Sequence, residues 1–579
     1  MVMAATKQRD VQILPVAADT RVWRSRTWDR LKFEIEYALQ RGTTANSYLI
    51  EGEKTVLIDP PGESFTEIFL AALQQRFDLK KIDYVILGHV NPNRLVTLNT
   101  LLQLAPQITF VCSNPGAKSL QSLFAEKYPE TQNLKIQVMK GDETLDLGKG
   151  HHLEFIPTPN PRYPDLLCTY DPKTEILYTD KLFSAHVCGE QVLDEGWAVY
   201  REDRRYYFDC VMAPYARQVE VALEKLGDLT TKIYATGHGP LVRYGKTELT
   251  AAYKQWATAQ KSQEITVALI YASAYGNTAT LATAIARGIT KAGVGVESIN
   301  AEFSEPEEIK TAVEKCSGFI FGSPTLGGHA PTQIQTALGI TLANADKNKL
   351  AGVFGSFGWS GEAIDFLEGK FKDAGYRLGF ESIRVKFTPT DMILKSCEEA
   401  GTDFAQALRK TQRALKKSVS GSSSARMEQA LGRIVGSLCV VTTQKEELGG
   451  AMLASWVSQA TFNPPGFTVA VAKERAIESL LHTGSKFVLN VLEEGKHLGL
   501  MKHFLKPFAP GEDRFAGVKT AMTDNGSPYL QDALAYLECR VDNRMECGDH
   551  WVVYAVVDKG QVLHEGVTAV HHRKSGNHY

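Results

Sequence analysis

Three apolar strands in the middle of the chain each end in a turn of small and hydroxyl residues, and this repeated order leaves few folds open. ITVALIYAS runs into Ser273-Ala274-Tyr275-Gly276-Asn277-Thr278 and then a helix beginning TLATAIARGI; GFIFGSPTLGG delivers Ser323, Pro324, Thr325, Gly327 and Gly328. GVFGSFGWSGEA delivers Ser356, Phe357, Gly358, Trp359 and Gly361. Strands alternating with helices predict an open parallel sheet, in which ligands sit beyond the carboxyl ends of the strands. Small residues at a strand-to-helix turn leave backbone N–H groups free to cradle a phosphate, aided by the positive end of the helix dipole. No Walker lysine is present, so a nucleoside triphosphate is not favoured. Turns rich in Gly and Ser occur in any fold of this kind; three in succession, with Tyr275 and Trp359 placed to flank an isoalloxazine ring, favour FMN.

At 579 residues the chain exceeds what one hydrophobic core supports. A polar helical stretch, LTAAYKQWATAQKSQ, gives way to the first of those strands near Ser262, and SVSGSSSA at 418–425 reads as a flexible linker. The expected modules are 1–262, 263–415 and 426–579, with a linker over 416–425. No window approaches the ~18 uninterrupted apolar residues of a membrane span, and the first residues lack the pattern of a secretory signal, so a cytoplasmic location is expected. Nine cysteines without a CxxC pair fit reduced thiols in packing roles. A net charge of -2 gives no footprint for nucleic acid.

The first module reads as alternating strands, ANSYLIEGEKTVLIDPP, then a helix, then DYVILGHVNPNRLVTL, with later loops TPNPRYPD, LYTDKLFSAH and ATGHGP. This resembles the metallo-β-lactamase-like fold and, more narrowly, the diiron domain of flavodiiron proteins; the likeness runs on through the middle module, which resembles a short-chain flavodoxin. The resemblance implies a ligand frame H-x-E-x-D-H, which here reads His89-Val90-Asn91-Pro92-Asn93-Arg94. It also places the family's third histidine on Arg162, its bridging aspartate on Lys181 and its last histidine on His238. Only His89 and His238 keep ligand chemistry, as remnant metal positions. Carboxylates become Asn91, Asn93 and Lys181, and histidines become Arg94 and Arg162, so a positive cup is expected where the family has a negative one. A cation ~4 Å from a divalent ion is repelled by about 8 kcal/mol at an effective dielectric of ~20, and arginine cannot shed its proton. The substitutions predict a chain without two iron ions, whose cations instead hold an anion or a carboxylate such as Asp165 or Asp180. A register shift of one would restore a carboxylate at Asp180 alone.

The last module, LGRIVGSLCVVTTQKEELGGAMLASWVSQATFNPPGFTVAVAKER, reads as paired strands, and LECRVDNRMECGDHWVVYAVV supplies more. It resembles the split-barrel flavin reductases, which implies flavin contacts at Ser455, Trp456, Ser458, Gln459 and Thr461, with Asn490 on a later strand. Alternating Ser, Val and Thr is also what any half-exposed strand shows. His550 and His564 are candidates to face a nicotinamide, although an exposed or hydrogen-bonded histidine is the commoner case.

The expected architecture is multidomain α/β: a metallo-β-lactamase-like αββα sandwich, a flavodoxin-like doubly wound parallel sheet and a flavin-reductase-like split β-barrel. The whole resembles the three-module flavodiiron proteins of oxygenic phototrophs, the diflavin flavoprotein A family. That likeness implies electron flow from NADPH or NADH through a second flavin (FMN or FAD) to FMN and on to four-electron reduction of dioxygen, in head-to-tail oligomers. With the ligand set altered, the expected partner is a ligand-complete paralogue that supplies the diiron site. The alternative is a stand-alone NAD(P)H:flavin or quinone reductase with a vestigial metal domain. A β-lactamase-like hydrolase conflicts with the lost ligands, and a non-redox regulatory subunit with the intact FMN loops.

Overall fold

The computed structural model describes residues 9–28, 41–131, 134–141, 143–416 and 422–573. The chain divides into two compact units, one of residues 1–263 with 297–304, the other of 264–296 with 305–579.

The first unit is a sandwich of two sheets. Seven strands from Asp10–Ala17 to Ile136–Val138 pair in sequence order, and five strands from Thr144–Gly148 to Ile233–Thr236 form the second sheet. Strand alternation sends Val22, Tyr48, Ile50, Val56 and Ile58 from one sheet against Leu153, Phe155, Ile176 and Tyr178 of the other, all nearly inaccessible. Helices Thr66–Arg76, Leu95–Leu104 and Asn114–Lys127 cover the outer face of the first sheet; Ala216–Gly227 and Lys246–Lys261 cover that of the second. This is the expected αββα arrangement.

In the second unit, parallel strands Thr266–Tyr271, Gly318–Pro324 and Leu350–Phe357 lie side by side, with Gly295–Asn300 outside the first of them and Arg377–Leu378 and Ile383–Lys386 beside the last. The order 2-1-3-4-5 is the doubly wound, flavodoxin-like one. It brings the three small-residue turns to one sheet edge. A seven-stranded antiparallel sheet follows, running from Leu448–Ala454 through Cys439–Lys445, Lys486–Val491, Ala535–Cys547, His550–Val562 and Pro465–Ala472 to Val457–Phe462. It curls around Val441, Val469, Phe487, Val541 and Val553.

The expected linker over 416–425 is corrected in its second half. Residues 417–421 lie outside the described ones, but Ser422–Leu431 is helical. The serines occupy its first turn, where they suit a helix start, and Ala425, Met427, Glu428 and Ala430 have high helix propensity. Of the nine cysteines, all free, seven are buried, as packing requires. Among the described residues no helix is long and apolar enough to cross a membrane.

Candidate flavin sites and an altered metal centre

The turn after Thr266–Tyr271 leads into helix Asn277–Lys291, whose N-cap is Gly276 at φ 81° with no side-chain cap. Of the first-turn donors, Ala279 N–H is taken by Ser273 Oγ at 3.1 Å. At the second turn Gly327 and Gly328 also have positive φ, and a Cβ on Gly276, Gly327 or Gly328 would meet nothing within 4 Å. These glycines therefore serve backbone conformation and an open cradle, not close packing. The turns are tied together: Thr278 Oγ1 lies 2.8 Å from Ser356 Oγ, and Thr325 N–H donates to Ser356 O at 3.0 Å. Thr325 Oγ1 is buried without a protein partner, an unsatisfied hydroxyl at the heart of the cradle. Tyr275 is 78% exposed and Trp359 91%, large aromatic surfaces that face solvent on the first and third turns. Phe357, Gly358, Gly361 and Asn277 are half-buried around them. The cradle fits a phosphorylated, flat, apolar ligand.

Two of the expected contacts are corrected. Ser323 is fully buried and its Oγ donates to Pro324 O at 2.8 Å; both residues are still within the strand Gly318–Pro324, so the turn begins later than the sequence suggests. They shape the turn from beneath.

In the last module Ser455 is buried and its Oγ has no protein partner, while Ser458 and Gln459 are exposed on the edge strand Val457–Phe462. Trp456 has the His550 ring at 5.0 Å and the Arg573 guanidinium at 4.8 Å. Thr461 Oγ1 donates to Pro464 O at 2.7 Å and lies 3.0 Å from Tyr554 Oη. His564 pairs with Glu493, and His550 with Asp549 at 2.8 Å. Asn490 is a correction: it is fully buried, its amide donates to Val440 O and Thr442 Oγ1 at 3.0 Å each, and its oxygen accepts from Leu530 N–H at 2.8 Å. A side chain with every polar group spent internally ties strands together instead of reaching a ligand.

In the first unit, the loops that follow parallel strands bring His89, Asp59, Asp180, Lys181 and His238 to one end of the sandwich. Arg94, 7% exposed, fills the middle. Its Nη1 donates to Asp59 Oδ1 at 2.8 Å and to His89 O at 3.0 Å, and its Nη2 to Asp180 Oδ1 at 3.1 Å. Both aspartates sit at positive φ, 51° and 42°, a strained backbone that aims two carboxylates at one guanidinium. Burial, with the Asp180 charge beside it, pushes the Asp59 carboxyl up to about 6 against the pull of Arg94. Burial also works against the Asp180 charge, but Arg94 and then Lys181 outweigh it and hold that carboxyl below its usual range.

His89 Nδ1 lies 2.7 Å from Asp165 Oδ1, whose Oδ2 accepts from Val90 N–H at 2.7 Å. His238 Nδ1 donates to Thr44 O at 2.8 Å. Tyr163 is ringed by His89 at 4.8 Å, the Arg162 guanidinium at 5.1 Å and Lys181 Nζ at 5.7 Å. Asn91 Oδ1 accepts from Asn93 N–H at 3.1 Å, starting the short turn that delivers Arg94. A small cavity beside them is lined by Asn91, Asn93, Arg94, Lys181 and His238.

The expected positive cup is therefore corrected: Asp59, Asp180 and Asp165 offset Arg94 and its neighbouring cations. Asp59 was missed, although a strand ending VLIDPP signals it. Among the described residues no group of three or more His, Cys, Asp and Glu side chains is arranged to hold a metal ion. The donor set does not fit two iron ions, because Arg94 takes the sixth position of the frame and two carboxylates are spent on its guanidinium.

Three family matches cover the chain in order: ODP family beta lactamase over 43–239, flavodoxin over 269–401, and flavin reductase like domain over 431–577. Diflavin flavoprotein A 6 of Nostoc sp. is 69% identical over 578 residues, 100% of both chains, and diflavin flavoprotein A 3 of Synechocystis sp. is 70% identical over 573 residues, 99% of this chain and 96% of that one. Among solved structures, the metal-soaked Flv1 flavodiiron core from Synechocystis sp. is 69% identical with a TM-score of 0.68, covering 70% of this chain and 100% of that one.

Proposed function

Because the chain belongs to the diflavin flavoprotein A family, and so to the flavoprotein oxidoreductases of flavodiiron type, we propose that it is an electron-relay subunit that lacks its own diiron centre. In this reading NADPH or NADH reduces the reductase module, electrons reach the FMN module, and a ligand-complete paralogue in a head-to-tail assembly uses them to reduce dioxygen to water. Bound flavin supplies the conversion between two-electron hydride chemistry and one-electron transfer. The chain's own residues hold and orient it. The N-terminus of helix Asn277–Lys291 faces the phosphate, the Thr278 and Ser356 pair fixes two turns relative to each other, and Tyr275 and Trp359 flank the ring.

The observation that carries the proposal is the contrast within one chain: a tied, open cradle in the second unit, and Arg94 locked between Asp59 and Asp180 where metal ligands would stand. The test is elemental analysis of the purified chain with flavin stoichiometry and anaerobic reduction by NADPH and NADH. Bound flavin that is reduced by one of these, in a chain without iron, is the expected result. About two irons per chain would restore a self-sufficient oxygen reductase.

A further inference from the structure

Within the second unit, helix Asp391–Lys416 of the flavodoxin-like module carries Lys395, Glu398 and Glu399 on one face, at the i, i+3, i+4 spacing of neighbours on a helix. All three are buried. Lys395 Nζ donates to Ala476 O of the reductase-like module at 2.6 Å. Glu399 Oε2 accepts from Gly511 N–H at 3.0 Å and lies 3.2 Å from Arg514 Nη2, also of that module. A Cβ on Gly511 would stand 2.2 Å from Ser396 Oγ, so the 511–514 loop is laid directly on the helix.

Glu398 pairs with Lys291 and lies 3.6 Å from Arg287, on the neighbouring helix. Arg287 Nη2 is 3.8 Å from Glu478 Oε2, and Glu478 Oε1 accepts from Arg544 Nη1 at 3.0 Å. The Arg544 guanidinium in turn lies 4.1 Å from the centre of the Trp551 ring. A chain of alternating charge, Glu398, Arg287, Glu478, Arg544, thus crosses from one module to the other. Its side chains are 1%, 4%, 6% and 3% exposed. Charges this deeply buried contribute little net stability compared with apolar packing, but removing one leaves its partners uncompensated, so they discriminate between partners.

We propose that this face of the flavodoxin-like module is a docking site for the chain's own reductase-like module, recognised by the Glu478 carboxylate held between Arg287 and Arg544. The two modules then move as one body, and the face is closed to any other electron-carrying protein.

The experiment is hydrogen exchange on the full-length chain, comparing wild type with Glu478→Gln and, separately, Glu399→Gln. Glu478→Gln keeps the shape but removes the negative charge between Arg287 and Arg544; Glu399→Gln alters the separate contact with Gly511 and Arg514. Exchange in segments 476–482 and 511–514 is expected to rise about tenfold or more in Glu478→Gln, while strands Gly318–Pro324 and Cys439–Lys445 inside each module keep wild-type rates. If Glu478→Gln loosens those strands as well, Glu399→Gln decides: faster exchange confined to 511–514 supports the docking site. Unchanged exchange in 511–514 in Glu399→Gln, or in both segments in Glu478→Gln, overturns it.

Discussion

At the scale of single residues, Arg94 gathers two carboxylates from separate strands around one positive charge. Replacing it with methionine keeps the volume but leaves Asp59 and Asp180 buried without their cation. Arg94→Met is expected to lower the unfolding free energy of the first unit by about 3–5 kcal/mol in denaturant titration, without creating an iron site, since among the described residues no three donors form a cluster. A variant as stable as wild type would show that the arginine does not hold the site together. The sequence exposed this substitution because Arg94 occupies a position in a recognisable frame. It did not expose the response of Asp59, whose side chain meets Arg94 only through pairing of Thr55–Ile58 with Ile82–Ile86. Asn490 shows the converse: it sits at a position where the reductase likeness implies a flavin contact, yet strand pairing has buried it and used its whole amide.

Among elements, helix Glu362–Asp373 is pinned to strand Ile383–Lys386 by Glu368, which pairs with Lys372 on its own helix and with Arg384 at 2.7 Å. The Lys372 ammonium first, then Arg384, hold the Glu368 carboxyl down at about 2. A carboxyl whose folded value lies below its unfolded value of ~4.3 stabilises the fold above that value, and the contribution fades as pH falls toward 2. Glu368 is 19% exposed, so solvent screens the pair and the effect at pH 7 is about 1 kcal/mol. Glu368→Gln is expected to be less stable than wild type by that amount at pH 7, with the gap narrowing from pH 4.5 downward. A gap independent of pH would assign the loss to packing. The same helix follows the third ligand turn, and the strand it is pinned to pairs with Phe354–Phe357, which lead into that turn.

At the scale of the whole molecule, the proposed relay requires a second chain. Mixing this protein with a ligand-complete paralogue is expected to give a common species in size-exclusion chromatography and an NAD(P)H-dependent oxygen uptake greater than the sum of the separate rates. Absence of both would leave the stand-alone flavin or quinone reductase, which reduces artificial acceptors regardless of the partner. Sequence alone determined the fold class, because strand and helix periodicities and the turn residues are local properties of the chain, and it marked the three small-residue turns and the substituted frame from His89 to Arg94. Tertiary structure decided where charge is balanced. Arg94 meets Asp59 and Asp180, and Glu478 lies between Arg287 and Arg544, across sequence separations of 35, 86 and 66 residues for the hydrogen-bonded pairs. Such pairings depend on which strands and helices become neighbours, and no local pattern of residues encodes that distance.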